Sequence, residues 1–338
     1  MNGYDLEESR IIAAINKKKC KRVLLQLPEG LKTEAQRLVN ILQEKTKANI
    51  FVSGMACWGA CDLPLDEARA LSADLLVHFG HAPFHQPDFP ILYVEARYHT
   101  DITPFIKKNI ATFKQFKHIA LVASVQHIHQ IPIVKNLLEK EGIKISVPEG
   151  KGRAFHEGQV LGCEYSGAKI LEKNIDAYIA LSNQFHSLGL VLSTEKKVLL
   201  VDPVHKEIRD LQKLRNKMIL QRAEIIERAK KARTFGVLLS LKSGQINTIV
   251  AENIKKKLLQ HNKEVVMITM REFQPDELLN FGNIDAFVDT ACPRVAIEDQ
   301  PRYSKPILTI KELLVVLGEV LWEESLRTGF ITAPYSAK

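Results

Sequence analysis

Gly54-Met55-Ala56-Cys57-Trp58-Gly59-Ala60-Cys61-Asp62 decides how this chain is read. It follows a strand-like apolar run, Asn49-Ile50-Phe51-Val52-Ser53, and precedes a helix-like Leu65-Asp66-Glu67-Ala68-Arg69-Ala70. A thiol on a glycine-rich loop at a strand's carboxyl end sits where open α/β sheets bind ligands. Two more cysteines occupy comparable places: Cys163 in Val160-Leu161-Gly162-Cys163-Glu164-Tyr165 and Cys292 in Val288-Asp289-Thr290-Ala291-Cys292-Pro293. Three far-apart segments are thus read as delivering one thiolate each to one metal cluster.

Outward from that loop the chain alternates strands and helices. Arg22-Val23-Leu24-Leu25-Gln26-Leu27 opens the series, Asp74 to Phe79 and Ile91 to Glu95 continue it, and helices are expected at Met1 to Lys19 and Thr33 to Lys45. Nearly continuous apolar strands separated by helices indicate a parallel sheet covered on both faces. The pattern restarts at His118 and again at Thr234, a period of roughly a hundred residues, too long for a solenoid repeat but suited to copies of a small domain. The fold class expected is α/β, with three tandem copies of a small parallel-sheet domain around a central cluster site. The domains run 1–105 with the Cys61 loop, 106–203 with the Cys163 loop and 234–338 with the Cys292 loop. Between the second and third lies a linking amphipathic helix, 204–233, with Ile208, Leu211, Met218, Ile225 and Ala229 close to one stripe.

Composition narrows the class. At 338 residues, 46% hydrophobic and 25% charged, the chain reads as a multi-domain globular protein. No run of about 18 apolar residues suggests a membrane span, and the polar N-terminus lacks the apolar core of a signal peptide. The expected location is the cytoplasm, where cysteines serve as ligands or nucleophiles; five of them, an odd number, also argue against a disulfide framework. The net charge of +8 lies largely between Lys206 and Arg233, which reads as a solvated helix face and not as a nucleic-acid patch.

Cys20 lies among lysines with no glycine turn or spaced partner. Cys57 and Cys61 form a C-x3-C pair, but Pro64 stands where C-x3-C-x2-C would need a third cysteine. A zinc knuckle needs two close pairs, and only one is present. Three thiolates suit a [4Fe–4S] cluster with one iron left open, although structural zinc and plain buried cysteines remain alternatives from the residues alone.

Leu27-Pro28-Glu29-Gly30, the Cys61 loop, His78-Phe79-Gly80-His81, Leu161-Gly162-Cys163, Ser240-Leu241-Lys242-Ser243-Gly244-Gln245 and Asp289-Thr290-Ala291-Cys292-Pro293-Arg294 resemble, in order, the diphthamide synthesis radical enzymes of archaea. The resemblance spans about residues 20–315. It implies a homodimer of triplicated α/β subunits whose Cys61, Cys163 and Cys292 hold a [4Fe–4S] cluster. The family's first ligand follows an aromatic-Gly-Ala triplet, here Trp58-Gly59-Ala60, which points to Cys61; Cys57 departs from that pattern. The implied activity is cleavage of the Cγ–S bond of S-adenosylmethionine (SAM) by an electron from the reduced cluster. Methylthioadenosine leaves, and the 3-amino-3-carboxypropyl radical adds to C2 of a histidine imidazole in translation elongation factor 2. Candidate cofactor-binding residues are Glu29, Gly30, His78, His81, Lys242, Gly244 and Gln245, with Asp289 and Arg294 flanking the third ligand. An electron donor of unknown identity is required. The rival class is a non-catalytic iron–sulfur or zinc protein acting as an electron-transfer or structural partner.

Overall fold

The structure is a computed structural model and describes residues 3–330. Thirteen strands form three sheets among these residues. The first contains β1 (Arg22–Gln26), β2 (Asn49–Val52), β3 (Leu75–Phe79) and β4 (Ile91–Val94). The second contains β5 (His118–Ala123), β6 (Lys144–Ser146), β7 (Ala177–Leu181), β8 (Lys197–Asp202) and β9 (Glu207–Asp210). The third contains β10 (Thr234–Ser240), β11 (Glu264–Met270), β12 (Ala286–Asp289) and β13 (Ile307–Thr309). Their orders are β2-β1-β3-β4, β6-β5-β7-β8-β9 and β11-β10-β12-β13. Every pairing is parallel except β8 with β9.

The apolar runs explain the layering. On β1, Val23 and Leu25 pack with Leu38 and Leu42 of the helix Ala35–Thr46 and with Ile11 and Ile15 of Glu8–Lys18. Leu24 points the other way, onto Leu63, Leu65 and Ala68. Successive strand residues face opposite sides, so a strand apolar at every position needs cover on both.

One clasp recurs in all three sheets. Asp74, just before β3, accepts hydrogen bonds from the N–H groups of Lys21 (2.6 Å) and Arg22 (2.9 Å) at the start of β1. Asp176 does the same for Lys117 and His118 before β5, and Asp285 for Arg233 and Thr234 before β10. Each carboxylate closes the amino-terminal edge of its sheet and leaves the carboxyl ends free.

Two expected elements differ. Within 204–233 the helix covers only Gln212–Lys230, and 207–210 form β9, antiparallel to β8. Asp202 causes the reversal: its Oδ1 accepts from the N–H groups of Val204 (2.9 Å) and His205 (3.0 Å), an Asx turn that starts a hairpin. Ile208 therefore belongs to the second sheet's core, not to the helix stripe. The first helix spans Glu8–Lys18, and Tyr4 before it bridges to Tyr98. The expected helix start at Met1 and third-domain end at Lys338 lie outside the described residues.

The helix Gln212–Lys230 is also less solvated than its charge suggests. Arg222 is 1% exposed and makes a two-pronged pair with Glu312, at 2.6 and 2.7 Å. Its remaining donors reach the carbonyls of Ala296 (2.6 Å) and Ile307 (2.8 Å). A buried guanidinium is tolerated because its hydrogen-bonding groups are matched. The helix meets the second sheet's core through Met218 and the third's through Ile225, Ile226 and Ala229.

Candidate metal centre

Parallel strands send their carboxyl ends to one side, and the loops that leave them carry the chemistry. Cys61 follows β2, Cys163 follows β6, and Cys292 follows β12. The third cysteine thus leaves the third strand of its sheet, where the other two leave the second. The three thiols nevertheless converge: Cys61 raises the pKa of Cys163, and both raise that of Cys292. Burial is the larger cause for each; it pushes Cys163 up to about 12 and Cys292 well above the usual thiol value. Three desolvated thiols facing one another are costly as free thiolates and suited to a soft metal centre that takes up their charge.

The third sheet's first loop grips Cys61 directly. The Gly244 N–H donates to the Cys61 carbonyl (2.9 Å) and the Gln245 amide donates to its Sγ (3.2 Å). A Cβ at Gly244 would lie 2.7 Å from the Cys61 Cα, so only glycine permits this approach. Beside it, Lys242 is 6% exposed and pairs with Asp62 (3.1 Å) and Glu272 (2.7 Å), while Arg271 lies 3.9 Å from Asp62. Arg153 of the second segment donates to the Gly244 carbonyl (3.2 Å). Lys242, Gly244 and Gln245 therefore meet at Cys61.

Around Cys292, the Asp289 carboxylate accepts from the N–H groups of Ala291 (2.7 Å) and Cys292 (3.2 Å), and burial pushes its pKa up to about 7. Its other oxygen is buried without a hydrogen-bond partner. Arg294 stacks on Phe185 at 3.5 Å and donates to the Phe185 carbonyl, joining the third sheet to the second.

A cavity of about 340 Å³ opens between the first two sheets, lined in part by Gly30, Gly80, His81, His127, Asn183 and His186. Gly80 has φ +84°, and a Cβ there would meet Pro28 at 2.7 Å, so this turn between His78 and His81 requires glycine. Glu29 does not line the cavity; it is exposed and pairs with Lys32 at 2.8 Å. His78 is fully buried, its Nδ1 on the Gln26 Oε1 (2.7 Å) and its Nε2 on the His81 Nδ1 (3.0 Å). Burial lowers the pKa of His127 to about 4 and of His186 to about 3, so both rings are neutral near pH 7. Asp62, Glu272, His127 and His186 carry no sequence signal of their own, although each lies at or just beyond a strand's carboxyl end or a candidate cysteine, the position that marked the others.

Residues 27–327 match the family described as putative diphthamide synthesis protein. A 2-(3-amino-3-carboxypropyl)histidine synthase of Pyrococcus horikoshii is 37% identical over 317 residues, covering 93% of this chain and 91% of the relative. The human 2-(3-amino-3-carboxypropyl)histidine synthase subunit 1 is 29% identical over 336 residues, covering 97% of this chain and 75% of its own length. Among solved structures, Pyrococcus horikoshii Dph2 with a 4Fe-4S cluster superposes with a TM-score of 0.88 at 34% identity, covering 97% of this chain and 94% of that one. Sequence and fold thus agree over nearly the whole length, and the chain belongs to the diphthamide synthesis protein family.

Proposed function

We propose that this chain is a transferase, a 2-(3-amino-3-carboxypropyl)histidine synthase, that moves the 3-amino-3-carboxypropyl group of S-adenosylmethionine to C2 of a histidine imidazole in translation elongation factor 2. The observation that carries this reading is the convergence of the Cys61, Cys163 and Cys292 thiols from loops of three sheets. That donor set fits a [4Fe–4S] cluster, three soft thiolates leaving one iron open. When bound, the cluster supplies the electron that splits the Cγ–S bond and releases methylthioadenosine.

The chain's own residues bind, orient and exclude water. Gln245 donates to the Cys61 sulfur, which steadies a thiolate there, and Asp289 holds the Cys292 loop through its N–H. The cavity beside His81 accommodates a ligand of nucleoside size. His127 and His186, being neutral, bring no positive charge against the sulfonium of SAM. Gly30, His81, Gly244 and Gln245 are the contacts assigned to SAM, with His78 acting through its bond to His81; Glu29 and Lys242 hold this role only if they exchange their present ion-pair partners for the methionine group. Because three bonds to the sulfonium compete, angular placement of Cγ decides the product.

Three further readings rest on the same footing. The shared order of second, first, third and fourth strands, with an aspartate clasp in each sheet, supports an internal triplication with domains 1–105, 106–203 and 234–338. The active form is a homodimer, checked by light scattering. The location is cytoplasmic, in keeping with the redox state thiolate ligands need; no helix among the described residues is long and apolar enough to cross a membrane.

The test is an anaerobic reaction of reduced enzyme with SAM and elongation factor 2. Methylthioadenosine together with one aminocarboxypropyl group on one histidine supports the reading. Deoxyadenosine as the product, or no cleavage by an iron-loaded protein, overturns it.

A further inference from the structure

Cys57 has no part in the centre described above, yet it is buried close to two histidines, His78 near the end of β3 and His81 just beyond it. The Cys57 Sγ and one ring nitrogen each of His78 and His81 lie within 4.8 Å of one another. We propose that Cys57, His78 and His81 form a second metal site that binds one zinc-like divalent cation beside the cluster.

The donor set suits such an ion: one thiolate and two imidazoles are what zinc prefers, and hard cations avoid them. The spacing suits it as well. Ligands at zinc's usual 2.0–2.3 Å around a tetrahedron stand about 3.3 Å apart for two nitrogens and about 3.5 Å for nitrogen and sulfur. The two ring nitrogens are already 3.0 Å apart. In the metal-free state one of them donates to the other; a cation takes that place when the His81 proton moves to its Nε2, so both rings bind as neutral imidazoles.

His78 is preset for the task. The Gln26 amide nitrogen donates to the Asp62 carbonyl (2.6 Å), which turns its Oε1 toward the His78 Nδ1 (2.7 Å). Nδ1 must then carry the proton, and Nε2 offers its lone pair toward His81. A ligating histidine held through its other ring nitrogen is the usual outer support of a metal site. The Gly80 turn sets both rings, since any other residue there would strike Pro28. The Gly59 N–H donates to the Cys57 sulfur, ready to stabilise a thiolate that the metal deprotonates.

Three protein ligands leave one tetrahedral position, as catalytic zinc sites do. His81 also lines the cavity between the first two sheets, so that position opens toward the cleft and takes water or a nitrogen donor entering there. Gln26 and Asp62 connect this site to the Cys61 loop, but no ligand is shared.

Metal content of the full-length chain tests the proposal. Anaerobically reconstituted wild type, Cys57→Ala and His81→Ala are each given stoichiometric zinc, desalted and analysed for zinc and iron. The expected result is one zinc per wild-type chain, at least a tenfold lower occupancy in either variant, and iron unchanged at about four per chain. Cobalt in place of zinc should give a thiolate charge-transfer band that Cys57→Ala abolishes. Zinc missing from wild type, or retained by Cys57→Ala, overturns the site. Iron falling with zinc in Cys57→Ala also overturns it, because Cys57 then belongs to the cluster. Loss of iron from wild type would instead undo the proposed function and leave the zinc result standing.

Discussion

At the scale of single residues, Cys61 and Cys57 stand four positions apart and meet different partners. Cys61 touches the third sheet's loop through its carbonyl and sulfur, whereas Cys57 faces His78 and His81 within the first sheet. Replacing Cys61, Cys163 or Cys292 singly by serine should therefore lower iron content several-fold and abolish methylthioadenosine formation, read by iron assay and chromatography. Gln245→Leu is a finer probe. It removes the hydrogen bond to the Cys61 sulfur and should keep the iron but make the cluster's reduction potential more negative, as followed by redox titration. Lys242→Met leaves Asp62 and Glu272 without their ammonium partner; Asp62 is 3% exposed. An uncompensated buried charge costs about 3–5 kcal/mol, discounted here because Arg271 lies 3.9 Å from Asp62 and Glu272 is partly exposed, so about 2 kcal/mol in a denaturant titration is expected.

At the scale of elements, most strands were legible because they are apolar runs closed by polar or glycine-rich residues: the four of the first sheet were read directly, and the restarts at His118 and Thr234 mark the opening strands of the other two. The short helices Thr103–Lys108, Gln184–Ser193 and Trp322–Thr328 were not, because their signals depend on the surface they cover. Gln184–Ser193 is buried continuously from Ser187 to Ser193 and shows no polar stripe to give its period away. The basic helix Gln212–Lys230 was legible within 204–233, but its buried ion pair was not: a formal charge does not reveal that Arg222 turns inward to Glu312, ninety positions away. Arg222→Met should cost about 3–5 kcal/mol by stranding Glu312, while the double variant Arg222→Met/Glu312→Leu should recover much of that loss in thermal unfolding. The aspartate clasps left a sequence trace that passed unread. Asn174-Ile175-Asp176-Ala177 recurs as Asn283-Ile284-Asp285-Ala286, with Ala73-Asp74-Leu75 as the third. Hydrogen bonds from the strand N–H groups hold all three carboxyls below their usual value of 3.8. The sign follows: a depressed pKa contributes stability above about pH 4 that is lost as pH falls through the lower folded value. Changing all three to asparagine should flatten the acid limb of melting temperature against pH.

At the scale of the whole molecule, the site belongs to no single sheet. Gly244 and Gln245 reach Cys61, Arg153 reaches Gly244, and Arg294 reaches Phe185, so each sheet's loops are steadied by another's. Sequence order marked the three cysteines but not these crossings, which arise only when the carboxyl ends of the sheets are brought together. A protein substrate must reach that junction from outside, and the rim is unusually apolar. Trp58 is 61% exposed three positions before Cys61, Met55 is exposed in the same loop, and Leu241 and Ile246 are exposed on the loop that grips Cys61. An exposed tryptophan rimming a centre of half-buried thiols is suited to anchor a macromolecular partner, since tryptophan is enriched among residues that dominate interfaces. If elongation factor 2 docks there, Trp58→Ala should weaken its binding by about 2 kcal/mol, roughly thirtyfold in Kd. Methylthioadenosine release in the factor's absence should stay near the wild-type rate, because Trp58 makes none of the bonds that hold Cys61. Isothermal titration with the factor gives the first quantity and a single-turnover assay without it the second. Equal affinity for both proteins would move the docking surface elsewhere, and a parallel fall in both quantities would assign Trp58 to the shape of the Cys61 loop.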